Sequence, residues 1–282
     1  MGSLNNKSGT LYVVATPIGN LEDITLRAIR TLKEVDFILC EDKRVTIKLL
    51  NKYEIKTKLI SFHRHNENKE AESIIFYLKS GKDIALVSDA GSPLISDPGS
   101  ELISIANREG IEISPIPGPS ALIGTLSICP IKFNDFTFLG FLPDKASERN
   151  KVISSLDKNP SVVVLYLAPH DFKKYIKEIH NHYPDINVFY ARELTKIYEE
   201  SWHGKIKDLI DLLEKKDLKG EIVLVLNFER VKPEVTEINE KKLTAEMREM
   251  IEKGKSLKET SKYFAKKYKL PSNNLYKMYI KK

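Results

Sequence analysis

The sequence predicts an α/β protein: two αβα domains, residues 10–131 and 132–230, with a ligand cleft between them, then a linker, 231–239, and a small basic helical domain of helix-turn-helix type, 240–282. Three observations carry this reading. Short, wholly apolar runs alternate with stretches of helical periodicity, the pattern of a parallel sheet covered on both faces. The alternation breaks once, at "CPIKFNDFTFLGFLPDKASERN" (129–150), and then resumes in the same style. The charge also changes abruptly: residues 240–282 hold 13 Lys plus Arg against five Glu and no Asp, a net +8, whereas the remaining 239 residues carry −2.

The elements follow in order. "GTLYVVATPIGN" is a strand running into a turn, and "LEDITLRAIRTLKEV" an amphipathic helix with Ile24, Ala28, Ile29 and Leu32 on one face. "DFILCED" and "KLISFH" are short strands, and a helix spans about Ala71 to Leu78. "DIALVSD" is a strand, a helix ends at Arg108 with Gly110 as its stop, and "IEISPIPGPSALIGTLSI" gives strand, turn and helix. After the break come a strand at Phe136 to Phe141, the buried strand "SVVVLYLAP", and a helix whose Phe172, Tyr175, Ile176 and Ile179 form one stripe. "NVFYARELT" is a strand, Trp202 falls in a loop, Ile206 to Leu213 is a helix, and "GEIVLVLNF" is the last strand. "ERVKPEVTEINE" reads as a charged linker. In the tail, Leu243, Met247, Met250 and Ile251 make one helical stripe stopped by Gly254. "SLKE" (256–259) is a capping box opening a second helix through Tyr268, and "KLPS" turns into a third at Asn273 to Ile280.

The first residues lack a signal-peptide core, "LYVVA" is too short to span a bilayer, and Asn6 stands where a myristoylation signal wants Ser or Thr. Cys40 and Cys129 lie in apolar stretches and read as reduced core thiols, so a cytoplasmic protein without membrane contact is expected. His63 and His65 would share one face of a strand, but no carboxylate has ligand spacing to them and no metal is expected.

Four loops at strand ends stand out, "ATPIGNLED", "SDAGSPLISDPG", "PIPGPSA" and "LAPHD"; taken singly each reads as a turn, but the second carries more turn chemistry than a connection needs. None has GxGxxG or the GK[ST] of a P-loop, so a pyrophosphate seat is not indicated. Pro and Gly allow close backbone approach, while Ala and Ser leave room for something flat. The pattern suits a small ligand with a flat ring and a polar end, held mostly by backbone.

These loops, with "CEDKR", "SFHRHNE", "GFLP", "YLAPH", "RELTK" and "GEIVLV", occur in the order and spacing of the ribosomal RNA small subunit methyltransferase I family, within the tetrapyrrole-methylase-like superfamily of S-adenosylmethionine enzymes, which the chain resembles over about Thr10 to Phe228. The resemblance implies a folded S-adenosylmethionine between the two domains. By it, Pro17 and Ile18 lie at the first loop, and Asp89, Ala90, Gly91 and Ser92 with Ile95 form the main bed. Ser120 and Ala121 follow the third loop. Leu167, Ala168 and Arg192 supply the second domain's side, and Gly220, Glu221 and Ile222 close the adenine pocket. It also implies 2'-O-methylation of a decoding-centre cytidine of 16S rRNA in the small ribosomal subunit, by a homodimer.

Methyl transfer from a sulfonium to a ribose hydroxyl needs in-line positioning and a proton acceptor, and neither metal nor covalent intermediate. Glu193 and Lys196 of "RELTK" are the candidates near the proton-transfer position; the alternative is a surface ion-pair cluster. Arg44, His65 and Asn66 are candidate RNA contacts, against helix-end pairing and turn hydrogen bonding. Lys277 and Lys281 are candidate solvent-facing phosphate contacts in the tail; the tail's alternative role is a stabilising cap. The rival enzyme is a tetrapyrrole C-methyltransferase, which typically shows GPG in the first loop and GDP in the main bed, where this chain has "TPIGN" and "AGSP". A nucleic-acid-binding regulator whose α/β body only senses a ligand is the rival of another class.

Overall fold

The computed structural model describes residues 8–64, 66–158, 161–215, 219–228, 240–268, 275, 276 and 279. The described residues up to 228 and those from 240 on form two separate compact units.

The first unit opens with β1 (Thr10–Val14), α1 (Leu26–Glu34), β2 (Phe37–Cys40), α2 (Lys43–Lys52), β3 (Lys58–Ser61), α3 (Glu67–Lys79), β4 (Ile84–Val87), α4 (Ser100–Arg108), β5 (Glu112–Ile116) and α5 (Ala121–Ser127). The five strands pair in the order β3-β2-β4-β1-β5, parallel throughout. Alternation along each strand divides the core in two. Ile38, Ala85 and Val87 meet α1 and α2 on one face; Leu39, Ile84 and Leu86 meet α3 and α4 on the other. The apolar runs of the sequence are thus strands buried on both sides.

The chain continues through β6 (Phe136–Phe141), α6 (Ala146–Ile153), β7 (Val162–Leu167), α7 (Pro169–His182), β8 (Asn187–Arg192), β9 (Glu200–Lys205), α8 (Ile206–Lys215) and β10 (Ile222–Asn227). This second sheet, ordered β6-β7-β10-β8-β9, is mixed and not parallel as expected. β10 runs antiparallel between β7 and β8, and β8 and β9 form an antiparallel pair. Strands buried on both faces read alike in either direction, so periodicity could not reveal this. One face packs on α6, α7 and α8 and the other on α5, whose Leu126 meets Val223 and Val225.

Four local expectations are corrected. The first helix begins at Leu26 behind the Thr25 cap, and Leu21–Asp23 is a separate 3-10 turn capped by Asn20. α2 and α6 were not anticipated. α2 is rich in β-branched residues, and the buried face of α6 presents Arg149 beside Ile153, which breaks the apolar stripe. Trp202 lies in an edge strand, β9, stacked on Tyr190 at 6.2 Å, and not in a loop. β3 ends at Ser61, so His63 is not on a strand and the shared strand face does not exist; His65 lies outside the described residues.

The second unit pairs α9 (Glu240–Glu252) with α10 (Leu257–Tyr268). Leu243 and Met247 pack on Phe264 and Leu275. The capping box is formed: Ser256 Oγ accepts from the Glu259 N–H at 3.2 Å, and a Glu259 carboxylate oxygen accepts from the Ser256 N–H at 3.1 Å. The turn at 269–272 and most of the third helix, including Lys277 and Lys281, lie outside the described residues. No helix among the described residues is long and apolar enough to cross a membrane.

Candidate functional site

The carboxyl ends of the first sheet's strands carry three of the four singled-out loops, and each is tied down. Thr16 and Gly91 exchange backbone hydrogen bonds of 2.8 and 3.0 Å, and Thr16 Oγ1 donates to the Ser88 carbonyl at 3.0 Å. The first loop is thereby fastened to the start of the second. That second loop, 88–99, holds four left-handed residues: Gly91 and Gly99, but also Leu94 at φ 72° and Ser96 at φ 76°. Each non-glycine position of this kind costs about 1–2 kcal/mol, so the surroundings must impose it. They do so from the segment "SFHRHNE". Arg64 Nη2 donates to the Ser96 carbonyl at 2.8 Å, and Glu67 Oε1 accepts from the N–H groups of Gly99, Glu101 and Leu102 at 3.1, 3.0 and 3.4 Å. In the third loop, a Cβ on Gly118 would lie 3.1 Å from that of Ala15, and the Ser120 hydroxyl caps α5.

The fourth loop follows β7, beside the start of β10. Because β10 is antiparallel, Ile222 pairs with Leu167 on one side and Arg192 on the other. The beginning of one strand therefore joins the ends of two others at the same edge. Between these and the first sheet's loops lies a cleft of about 420 Å³. Ile18, Asp89, Ala90, Gly91, Ser92 and Ile95 line it from the first two loops, and Ser120 and Ala121 from the third. Leu167, Ala168, Glu221 and Ile222 line it from the second sheet. Pro17 is buried; Pro17 and Gly220 are chain neighbours of Ile18 and Glu221, and Arg192 pairs with Ile222, without any of the three being part of the lining.

Sequence reasoning missed Glu41, Asp97, Phe141 and Tyr166 in the lining, although each falls inside a motif already singled out. The oversight matters for charge. Glu41, Asp89, Asp97 and Glu221 face the cleft, and the lining contains no Lys, Arg or His among the described residues. Burial pushes the Asp97 carboxyl up to about 6, reinforced by the charges of Glu41 and Asp89 and opposed by Arg64 and the Ser88 hydroxyl. Asp89 is also raised, mainly by burial, although one of its oxygens accepts from the Asp42 N–H at 3.1 Å.

Glu193 and Lys196 meet at the rim. Lys196 Nζ lies 2.9 Å from Glu193 Oε1 and 3.2 Å from Glu221 Oε2, and the Glu221 N–H donates to Glu193 Oε1 at 3.0 Å. Burial pushes the Glu193 carboxyl up, but Lys196, the Glu221 N–H and Arg192 outweigh it and hold it low. Burial pushes the Lys196 ammonium down, yet Glu193 and Glu221 outweigh it and hold it high. Each group is thus kept in its charged form by the other. Gly220, at φ 88°, has no room for a Cβ, which would lie 2.2 Å from the Glu193 carboxyl carbon. Arg192 is spent on the Lys219 carbonyl at 2.7 Å and on Glu200 at 2.8 Å.

Of the candidate RNA contacts, Arg44 and Asn66 are among the described residues. Arg44 is almost fully exposed at the start of α2, paired with Asp42 at 2.6 Å. The Asn66 side chain is used locally, accepting from the His63 N–H at 2.7 Å and donating to the Ser61 carbonyl at 3.0 Å. His65, Lys277 and Lys281 lie outside the described residues. Among the described residues, no group of three or more His, Cys, Asp or Glu is arranged to hold a metal.

Two covered sheets whose loops close on one acidic cleft define a small-ligand α/β protein, with its seat where such sheets place ligands. The chain belongs to the tetrapyrrole (corrin/porphyrin) methylase family, whose profile matches residues 10–210, and within it to the group of ribosomal RNA small subunit methyltransferases I. A protein of that name from Thermotoga maritima is 46% identical, over 78% of this chain and 98% of its own. Those from Halalkalibacterium halodurans and Bacillus subtilis are each 40% identical, over 96% and 98% of this chain and 94% and 97% of their own. Among solved structures, uroporphyrin III C-methyl transferase from Thermus thermophilus, complexed with S-adenyl homocysteine, covers 77% of this chain and 97% of its own at 17% identity and a TM-score of 0.56. A cobalt precorrin-4 methyltransferase covers 77% and 94% at 20% identity, also with a TM-score of 0.56. These likenesses concern the fold.

Proposed function

We propose that the chain is an S-adenosylmethionine-dependent methyltransferase that modifies the 2'-hydroxyl of a decoding-centre cytidine of 16S rRNA in the small ribosomal subunit. The observation that carries this is the cleft: four carboxylates, no basic side chain among the described residues, and apolar walls from Ile18, Ile95, Leu167 and Ile222. An acidic seat fits a ligand with a sulfonium and an ammonium group, and the apolar walls fit a flat adenine ring. When bound, the cofactor supplies a methyl group made electrophilic by the positive sulfur. Asp89 to Ser92 and Ile95 form the bed, Ser120 and Ala121 the third side, and Leu167, Ala168, Glu221 and Ile222 the cover. The rRNA substrate is supported by the shared name of relatives 38–46% identical to this chain.

To the same reading belong a homodimer in the cytoplasm, the division of the first unit into domains 10–131 and 132–230, and phosphate contacts from Arg44 and the basic tail. The test incubates the protein with labelled S-adenosylmethionine and, separately, free rRNA, assembled small subunits and a tetrapyrrole precursor. Label in RNA that blocks alkaline cleavage after one nucleotide is expected, because a 2'-O-methyl removes the nucleophile of that cleavage. Label on a base, or on the tetrapyrrole alone, would refute the proposal.

A further inference from the structure

The expected proton acceptors, Glu193 and Lys196, are each other's counter-ions, with Lys196 also on Glu221. A base already satisfied by a cation and a backbone N–H is a weak one. The opposite wall of the cleft is different. There Glu41 just after β2 and Asp89 and Asp97 in the loop after β4 face one space, with no cation in the lining among the described residues. A proton released into such a group settles on the carboxylate whose charge is least well tolerated. Asp89 has a backbone N–H to stabilise its charge.

We infer that Asp97 is the catalytic base: its carboxylate takes the proton of the ribose hydroxyl as the oxygen attacks the methyl group. The inference rests on the methyl-transfer reading above. The ribose oxygen forms the new O–C bond, the electron pair of the breaking C–S bond stays on sulfur, and the hydroxyl proton moves to Asp97 and then to solvent. Placement supports the role. Asp97 follows left-handed Ser96, whose carbonyl is held by Arg64, and precedes Pro98 and Gly99, whose N–H is held by Glu67. The carboxylate therefore sits on a braced segment, as a base that must meet a fixed oxygen requires. The charged and titratable groups around it are Glu41, Asp89 and Arg64, with the hydroxyl of Ser88, and the phenol of Tyr166 feels its charge from β7. A carboxyl pushed up to about 6 is deprotonated at neutral pH and still basic enough to share a proton in the transition state.

The test compares the full-length wild type with Asp97→Asn and Asp97→Glu, using assembled small subunits as substrate. Three quantities are read: cofactor affinity by calorimetry, the pH profile of single-turnover methylation, and the Asp97 carboxyl titration by carbon-13 NMR, assigned from Asp97→Asn. Asp97→Asn should keep its folded spectrum and still bind S-adenosylmethionine, more weakly through the loss of one of the four cleft carboxylates, so methylation is read at saturating cofactor. Its methylation should fall by roughly 10²–10⁴-fold. The wild-type rate should drop about tenfold per pH unit below the NMR midpoint, because protonation removes the base, and that limb should vanish in Asp97→Asn. Asp97→Glu should recover part of the rate. An Asp97→Asn rate within tenfold of wild type, or a loss lying wholly in cofactor affinity, overturns the assignment while leaving the methyltransferase reading intact. A wild type that binds the cofactor but labels no RNA overturns both.

Discussion

Glu67 offers the most direct test of how the cleft is braced. α4 begins behind Gly99, which has φ 124° and no side chain to cap with, so the first-turn N–H groups depend on Glu67 of α3. Glu67→Ala removes an ionised acceptor from two well-placed donors and a third at 3.4 Å. Hydrogen bonds to charged groups contribute about 1.5–3 kcal/mol each, but water can reach this half-buried site and replace part of that. A carboxylate at a helix N-terminus adds about 0.3–1 kcal/mol. The net loss should be roughly 2–4 kcal/mol, read as a lower urea midpoint at unchanged slope. At about 2–4 °C per kcal/mol for a unit of this size, Tm should fall by roughly 5–15 °C. Glu67→Gln keeps an acceptor oxygen and should lose about 1 kcal/mol or less. Because the same loop lines the cleft, Glu67→Ala should also weaken S-adenosylmethionine binding measured by calorimetry. A loss below about 0.5 kcal/mol with unaltered cofactor affinity would refute the bracing argument, since that is the scatter of ordinary surface substitutions.

Three further outcomes are expected. Ala121→Trp or Ser92→Trp should abolish cofactor binding by filling the cleft while leaving the fold intact; unaltered calorimetric affinity in both would dismiss the assigned seat. Arg149, 1% exposed, bonds Glu178 at 2.7 and 2.9 Å and the Pro143 and Asp144 carbonyls at 3.0 and 2.6 Å. Arg149→Ala should therefore cost about 3–5 kcal/mol in urea unfolding. The Arg149 hydrogen bond holds the Glu178 carboxyl below its usual range, so the pair's contribution is present at neutral pH and disappears as pH falls through that lowered value. The variant should show a smaller loss of stability on acidification, and an unchanged acid limb would contradict this. Deleting residues 240–282 removes a net +8, so RNA affinity should fall most at low salt and the log–log salt slope should flatten by roughly 0.7–0.9 per lost phosphate contact. Cofactor affinity should persist, because every cleft residue precedes 228. An unchanged slope would remove the tail from RNA binding.

The sequence by itself determined the doubly covered strands, the four loops that line the cleft, the helix stops at Gly110 and Gly254 with φ of 69° and 91°, and the Ser256–Glu259 capping box. These are decided within a few residues, by side-chain period, left-handed glycine and short-range hydrogen bonds. The tertiary structure alone decided the antiparallel entry of β10, which carries Glu221 and Ile222 to the ends of β7 and β8. It turned "ESWHGK" into an edge strand by supplying Tyr190 for Trp202 to stack on, and filled an inward helix position with Arg149 by supplying Glu178 as a partner. It also set the charge environment of the cleft and its rim. Lys196 and Glu193 are near neighbours and could be seen together, but Asp97 acquires its surroundings from Glu41, Arg64 and Asp89, and Lys196 is completed by Glu221 from another strand. Charge and burial are set by groups that chain folding brings together from far apart, and no local pattern encodes them.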